Sequence, residues 1–364
     1  MNFRDRLKLK HPKPVCVGTG LIVLDIVING KPKSSPRFWA GGSCGNVLTI
    51  LSYLGWESYP IARLGNDRAA GKLLRDMKKW RVKTRLISLN RSDSTPIIIE
   101  KLGTSPSGTP WHRFEWTCPN CGSWLPRYKP VLARDVEKIS KKIPESQVFY
   151  FDRVSRSSIE LAKVSKVKGA LLFFEPSAVE DKKLFSECLK VSDIVKYSHE
   201  RFGYAQKLTQ EISVPLEIET LGAGGLRYRC GGNHKRNRKW QNMRAYPVKN
   251  LKDAAGAGDW CSAGIIHILG SAGRERFEKA ARKDIETALS FGQTFAALNC
   301  YYEGARGSMY NLSRRKFERL VHSIRNNTNS SESIEEKETN RISGVFRNVC
   351  PSCVNGAQTS DYLS

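Results

Sequence analysis

The 364-residue chain has no uninterrupted apolar run long enough to cross a bilayer, so no membrane partner is expected. Its opening segment, MNFRDRLKLKHPKP, is basic but lacks the apolar stretch of a secretory signal, and a cytoplasmic location is the expectation. Acidic residues are scarce: 35 Asp and Glu oppose 60 Lys and Arg, leaving a formal net charge of +25. Such an excess suits nucleic acid, a membrane surface or an anionic small molecule. The signature of an RNA- or DNA-binding module is also missing. The charge is spread along the chain and is densest at His234-Lys235-Arg236-Asn237-Arg238-Lys239. A solvated basic surface is the simpler reading, and nucleic acid is not favoured as a partner. No internal repeat is present. What remains, at 40% hydrophobic residues, is enough to bury a sizeable core as one large α/β domain or two smaller ones.

The order along the chain is that of a layered α/β protein. Residues 15–28, VCVGTGLIVLDIVI, read as strand, turn and strand. Residues 46–54 are apolar at helical spacing and stop at Gly55; Asp67 caps a helix bearing Leu73, Leu74 and Met77. Strands are expected at 58–63, 85–89 and 96–101. Residues 103–130 are rich in Gly, Pro, Ser and Trp and read as a flap. From 131 onward, helices (133–142, 157–166, 181–190, and one from about 199) alternate with the apolar strands 147–151, 170–175, 193–197 and 215–220. That alternation implies a parallel sheet covered on both faces. Strands near 226–229 and 244–248 and helices at 256–269, 275–300 and 312–324 complete this part. The polar stretch 326–342 reads as a disordered linker before a cysteine-containing tail, 343–364.

Chemistry concentrates in DAAGAGD, Asp253 to Asp259, at the start of a helix. Small residues let backbone N–H groups of Ala255, Gly256, Ala257 and Gly258 face an anion, and the helix N-terminus favours negative charge there. Asp259, in the first turn, is placed to take a proton from a hydroxyl attacking phosphorus. The bland alternative is a glycine-rich turn with an ordinary first-turn acid.

The segment resembles the D-T-x-G-A-G-D signature of the PfkB, or ribokinase-like, kinases, with Ala254 where Thr is usual. GGSCGN (Gly41 to Asn46) resembles that family's glycine-glycine-x-x-x-asparagine segment, and ARLGNDRAAGKLL (62–74) its G-x-D-x-x-G stretch. The resemblance covers roughly residues 14–312. It implies a three-layer α/β/α kinase domain over about 12–325, with a mostly parallel central sheet and a small β-lid at about 29–40 and 95–116. It implies ATP and Mg²⁺ as cofactors and phosphoryl transfer to an alcohol group of a sugar or sugar-like molecule, a nucleoside kinase being the close variant. Asp259 is the implied base, with Gly256, Ala257 and Gly258 beside it as the anion site. Asp25, Gly41, Gly42 and Asn46 are implied to bind the acceptor, and Thr220, Gly222, Gly225 and Glu200 to handle nucleotide and metal. The acid motif departs from pattern: Tyr197 stands where Asn is usual, so either it packs in the core or phosphate handling is altered. Trp39, Trp111 and Phe114 are candidates for lining the lid, and Arg113 for meeting an anionic substrate.

Ten cysteines remain to be explained. Cys16, Cys44, Cys188, Cys230, Cys261 and Cys300 read as free thiols, mostly buried. CPNC (Cys118, Cys121) and CPSC (Cys350, Cys353) are knuckle-like pairs. The usual four-cysteine spacing is absent, since the pairs lie at opposite ends of the chain. One shared structural Zn²⁺ site, with the tail folded back to pin the flap, is the favoured reading. Half-sites across a homodimer and two unrelated pairs stay open. Two other function classes compete with a kinase: a nucleic-acid-associated zinc protein on a kinase scaffold, and a metabolite sensor without turnover.

Overall fold

The structure, a computed structural model, describes residues 7, 12–29, 36–105, 110–202, 212–231, 239–326 and 348–354. Residues 327–347, which take in nearly all of the expected linker 326–342, most of the tail 343–364, and residues 234–238 of the basic cluster lie outside the described residues. In chain order the described strands are β1 (Val15–Thr19), β2 (Val23–Asn29), β3 (Arg37–Gly41), β4 (Glu57–Gly65), β5 (Ile87–Asn90), β6 (Ile97–Thr104), β7 (Pro110–Glu115), β8 (Val148–Phe151), β9 (Leu171–Phe174), β10 (Ile194–Ser198), β11 (Leu216–Thr220), β12 (Leu226–Cys230) and β13 (Gln241–Met243).

Nine of them form one sheet, in the order β13-β12-β11-β10-β9-β8-β1-β4-β5. From β11 to β5 every pairing is parallel; β12 and β13 extend the edge antiparallel. Alternation along each strand divides the core. Cys16, Tyr150, Phe173 and Ile194 pack on one face, against helices α1 (Ser43–Tyr53), α2 (Ala257–Ile265), α3 (Arg282–Asn299) and α4 (Arg314–Arg325). Val17, Phe149, Phe151, Phe174 and Val195 pack on the other, against the helices Arg156–Val167 and Lys182–Val191. Strands buried on both faces need apolar residues at every position, which is why VFYF and LLFF carry no polar alternation.

The expected strand–turn–strand at 15–28 is present, but its two strands part company. β1 lies at the heart of the large sheet, while β2 enters a second, four-stranded sheet of order β3-β2-β6-β7. One face of this small sheet carries Leu24, Ile26, Phe38, Ala40, Ile97 and Ile99, all buried in the core. The other face presents Asp25, Trp39, Glu100, His112 and Phe114, as the strand register requires. Trp111 and Arg113 alternate onto the opposite side of β7 and are exposed, so neither lines the site.

Three expected elements differ. The strand near 244–248 forms earlier, as β13 at Gln241–Met243, because Pro247 has no N–H for a ladder. The expected helix 275–300 is two helices, Gly273–Glu278 and α3, broken where Ala281 adopts an extended ψ of 158°. The helix at 133–142 narrows to Val136–Ser140.

Asp76 ties the small sheet to the body. It is 1% exposed, accepts from the N–H of Ala40 on β3 at 2.9 Å, from Arg306 Nη2 at 2.6 Å and from Tyr310 Oη at 2.7 Å. Arg306 is equally buried and also donates to the Ala40 carbonyl. Removing the charge from one buried partner leaves the other uncompensated. Asp76→Asn is therefore expected to lower unfolding free energy by about 3–5 kcal/mol in a denaturant titration; a loss below about 1 kcal/mol would contradict this accounting.

Candidate active site

The DAAGAGD loop is shaped by its first acid. Asp253 is buried and accepts from the N–H of Ala255 at 2.9 Å and of Gly304 at 2.8 Å. Gly256 then turns left-handed, with φ 70°, and an added Cβ would lie 2.1 Å from the Ala305 carbonyl oxygen. Helix α2 starts at the next residue. The N–H of Ala255 is thus spent on Asp253, and that of Ala257 reaches the Ala254 carbonyl at 3.2 Å, which corrects the expectation that both face an anion. The first-turn N–H groups of Gly258 and Asp259 have no earlier carbonyl within the helix to bond.

Asp259 stands in that first turn, partly exposed, and accepts from Asn46 Nδ2 at 2.7 Å. Asn46 lies in the first turn of α1, so two helix N-termini converge on one carboxylate. The other amide atom, Asn46 Oδ1, is buried and has no hydrogen-bond partner among the described residues. The sequence reading missed what lies beneath Gly258. There Lys196, on β10, is paired with Glu175, which follows β9 and also accepts from Tyr150 Oη at 3.0 Å and from Ser262. Burial pushes the Asp259 carboxyl up to about 7; the neighbouring charge of Glu175 adds to this, while Asn46 and Lys196 oppose it. A lysine inside the apolar run DIVKY was the available signal for this pair.

Asp25 lies on the site-facing side of β2 and is 8% exposed. Burial raises it to about 7, against the pull of Arg306 and of a hydrogen bond from the Gly42 N–H. A Cβ on Gly41 would sit 1.7 Å from Asp25 Oδ2, so no other residue fits there without displacing the carboxylate. Asp152, after β8, was also missed. It accepts from the N–H groups of Leu21 at 2.8 Å and Cys44 at 3.2 Å, anchoring both the turn before β2 and the start of α1.

The residues expected to handle nucleotide lie at the carboxyl ends of β10 and β11. Thr220 closes β11 and donates to the Tyr197 carbonyl at 3.3 Å. Gly222 opens the turn Gly222–Gly224, whose residues are exposed, and Gly225 takes φ 96°. Glu200 is exposed beside this turn, its Oε1 3.9 Å from where a Gly222 Cβ would be. Tyr197 resolves one alternative: its side chain is buried among Phe202 and its neighbours, and its hydroxyl donates to Glu217 at 2.7 Å. It packs in the core.

The four knuckle cysteines meet. Their Sγ atoms all lie within 4.8 Å of one another, with Cys118 to Cys353 at 3.7 Å and Cys121 to Cys350 at 3.8 Å. Tetrahedral geometry with Zn–S bonds of about 2.3 Å places sulfurs about 3.8 Å apart, so the set fits a zinc ion from one chain.

The fold has counterparts. A fructokinase from Vibrio cholerae, solved with fructose, ADP and calcium bound, superposes with a TM-score of 0.62 at 17% identity, covering 85% of this chain and 99% of that one. A nucleoside kinase from Methanocaldococcus jannaschii, an archaeal member of the ribokinase family, gives 0.60 at 16% identity over 86% and 98%. The chain has the ribokinase-like fold. In sequence it is 28% identical over 294 residues, 75% of this chain and 88% of the relative, to an uncharacterized sugar kinase of Pyrococcus horikoshii. That relative, solved in complex with ATP, superposes with a TM-score of 0.61. No family model matches the chain. In the ribokinase-like fold seen here, the acid-bearing loops collect at the carboxyl ends of the parallel strands, where open α/β sheets place ligands.

A folded-state pKa of about 7 against an ordinary 3.8 means that folding disfavours ionised Asp259. That cost is full above about pH 7 and disappears as pH falls toward 3.8. Asp259→Asn is accordingly expected to resist denaturant better than wild type above neutrality, the advantage shrinking as the solution is acidified. A difference independent of pH would show that Asp259 titrates normally.

Proposed function

We propose that the protein is an ATP-dependent kinase that phosphorylates an alcohol group of a sugar or sugar-like small molecule. The observation that carries this reading is the carboxylate of Asp259, held by Asn46 at the N-terminus of α2 and brought by burial and by Glu175 close to neutral pKa. A base of that pKa is half ready to accept a proton near neutrality. The attacking hydroxyl points its one proton at Asp259; the unsatisfied Asn46 Oδ1 can accept from a second hydroxyl and Asp25 from a third, so the acceptor is oriented by three points. Asp259 then takes the hydroxyl proton on its carboxylate as the oxygen attacks. The free N–H groups at the start of α2 favour the negative charge that gathers beside Gly258.

Bound ATP would supply the phosphoryl group, and Mg²⁺ would offset its charge. The exposed turn Gly222–Gly224, with Thr220, Gly225 and Glu200 around it, fits a nucleotide's phosphates, because backbone and small residues leave room for them. Glu200 would hold the metal. Tyr197 packs in the core, and the exposed Ala254 lies in a loop whose backbone is shaped by Asp253.

Cys118, Cys121, Cys350 and Cys353 would hold a structural Zn²⁺, since four thiolates leave no open position for a reacting ligand. The site would clip the tail to the turn after β7, next to the lid, and needs no partner chain to complete it. Free thiols throughout and a thiolate cluster suit a reducing compartment such as the cytoplasm. Among the described residues, no helix is long and apolar enough to cross a membrane.

ADP release measured across sugars and nucleosides should identify an acceptor, and Asp259→Asn should lower kcat by about 10²–10⁴-fold with the KM for ATP little changed. Turnover that survives the substitution would remove Asp259 from the chemistry. Metal analysis of purified protein should find about one zinc per chain, lost in Cys353→Ser. Unchanged zinc in that variant would sink the four-thiolate site.

A further inference from the structure

Glu100 carries a buried carboxylate oxygen that none of the described residues bonds. It is 2% exposed, and its Oε1 is buried without a hydrogen-bond partner. It does not fill the core, because alternation along β6 turns Ile97 and Ile99 inward and Glu100 to the site-facing side shared with Asp25, Trp39 and His112. There a carboxylate oxygen of Glu100, a ring nitrogen of His112 and a carboxylate oxygen of Asp253 lie within 4.8 Å of one another. Asp253 is occupied by the N–H groups of Ala255 and Gly304, and its Oδ1 is 3.6 Å from His112 Nδ1. Glu100 has no such donor. Leaving a buried carboxylate oxygen unbonded is costly, and the cost is removed when a ligand brings the donor.

We propose that Glu100, with His112 beside it, is the acceptor-recognising wall of the small sheet, and that this wall selects a hydroxyl-donating, non-anionic acceptor over sugar acids and phosphosugars. The inference rests on the kinase reading above and adds the substrate class to it. Charge bookkeeping around the cleft favours the same conclusion. Three arginines around the cleft each face a carboxylate: Arg306 has Asp76 at 2.6 Å, Arg153 has Asp152 at 3.3 Å and Arg63 has Asp93 at 3.3 Å, an acid that Lys129 shares. Burial holds the Glu100 carboxyl well above its ordinary range, and the charges of Asp253 and Asp25 push it further. An anionic substrate group placed against Glu100 would add to the negative charge of Asp253 and Asp25. Hydroxyl groups meet none of that opposition, and they satisfy the orphaned oxygen.

The test is calorimetric titration of the whole protein with fructose, ribose, inosine, glucosamine, gluconate and fructose 6-phosphate, with ADP release measured on the same panel. Wild type is expected to bind one of the four non-anionic probes best. Glu100→Gln should weaken that probe about tenfold or more and raise its KM alike, the KM for ATP unchanged. His112→Gln, on the edge of the same wall, gives the same readout should Glu100→Gln fail to fold. The wall is overturned if gluconate or fructose 6-phosphate binds best, if no non-anionic probe binds, or if both variants bind as wild type does. It is also overturned if a metal beyond the zinc copurifies with wild type and is lost in Glu100→Gln, which would make the cluster a cation site. Binding of a non-anionic probe through Glu100 without Asp259-dependent ADP release would overturn the kinase reading and leave the wall standing. Turnover of an anionic probe would do the reverse.

Discussion

The site depends on one hydrogen bond, from Asn46 to Asp259. It joins the first turns of two helices that are far apart in sequence and adjacent in space. Each helix contributes a positive N-terminal end, and the shared carboxylate sits between them. Asp152 fixes one of these ends through the N–H of Cys44, and Asp253 shapes the loop leading to the other. The result is a base whose position is set by backbone on both sides, and whose pKa is lifted by burial and by Glu175. Preorganisation of this kind serves phosphoryl transfer, in which the protein positions groups and screens charge and forms no covalent bond itself.

The small sheet is the second constraint. Its apolar face is part of the main core, and Asp76 with Arg306 locks β3 to the body. It therefore presents Asp25, Glu100 and His112 from a rigid platform, next to the DAAGAGD loop. The sharp contrast between this acid-lined interior and a chain carrying +25 separates two properties that composition merges. Net charge describes the solvated surface; the sign of a site is set by the few side chains that a fold turns inward.

Much of this was legible in the sequence. Apolar runs such as VFYF and ALLFF marked strands buried on both faces, and glycine with a terminal acid marked the start of α2. The meeting of Asn46 with Asp259 was implied only through resemblance, because no local pattern encodes a contact across more than 200 positions. Glu100, Lys196 and Glu175 were overlooked: each is a charged residue in or beside an apolar strand, and strand periodicity reports which face a residue takes without saying what waits there. The break at Ala281 was also hidden, since residues 275–300 keep helical spacing across it. For the cysteines, spacing alone left three arrangements open, and the fold brings all four sulfurs of one chain together.

The central claim is that Asp259, held by Asn46, takes the proton of an acceptor hydroxyl. A crystal structure with the acceptor and a non-hydrolysable ATP analogue tests it most directly. The account places the attacking oxygen within about 3 Å of the Asp259 carboxylate, with further acceptor hydroxyls on Asn46 Oδ1 and on Asp25. An acceptor bound away from Asp259, or a γ-phosphate analogue that does not approach the start of α2, would contradict it.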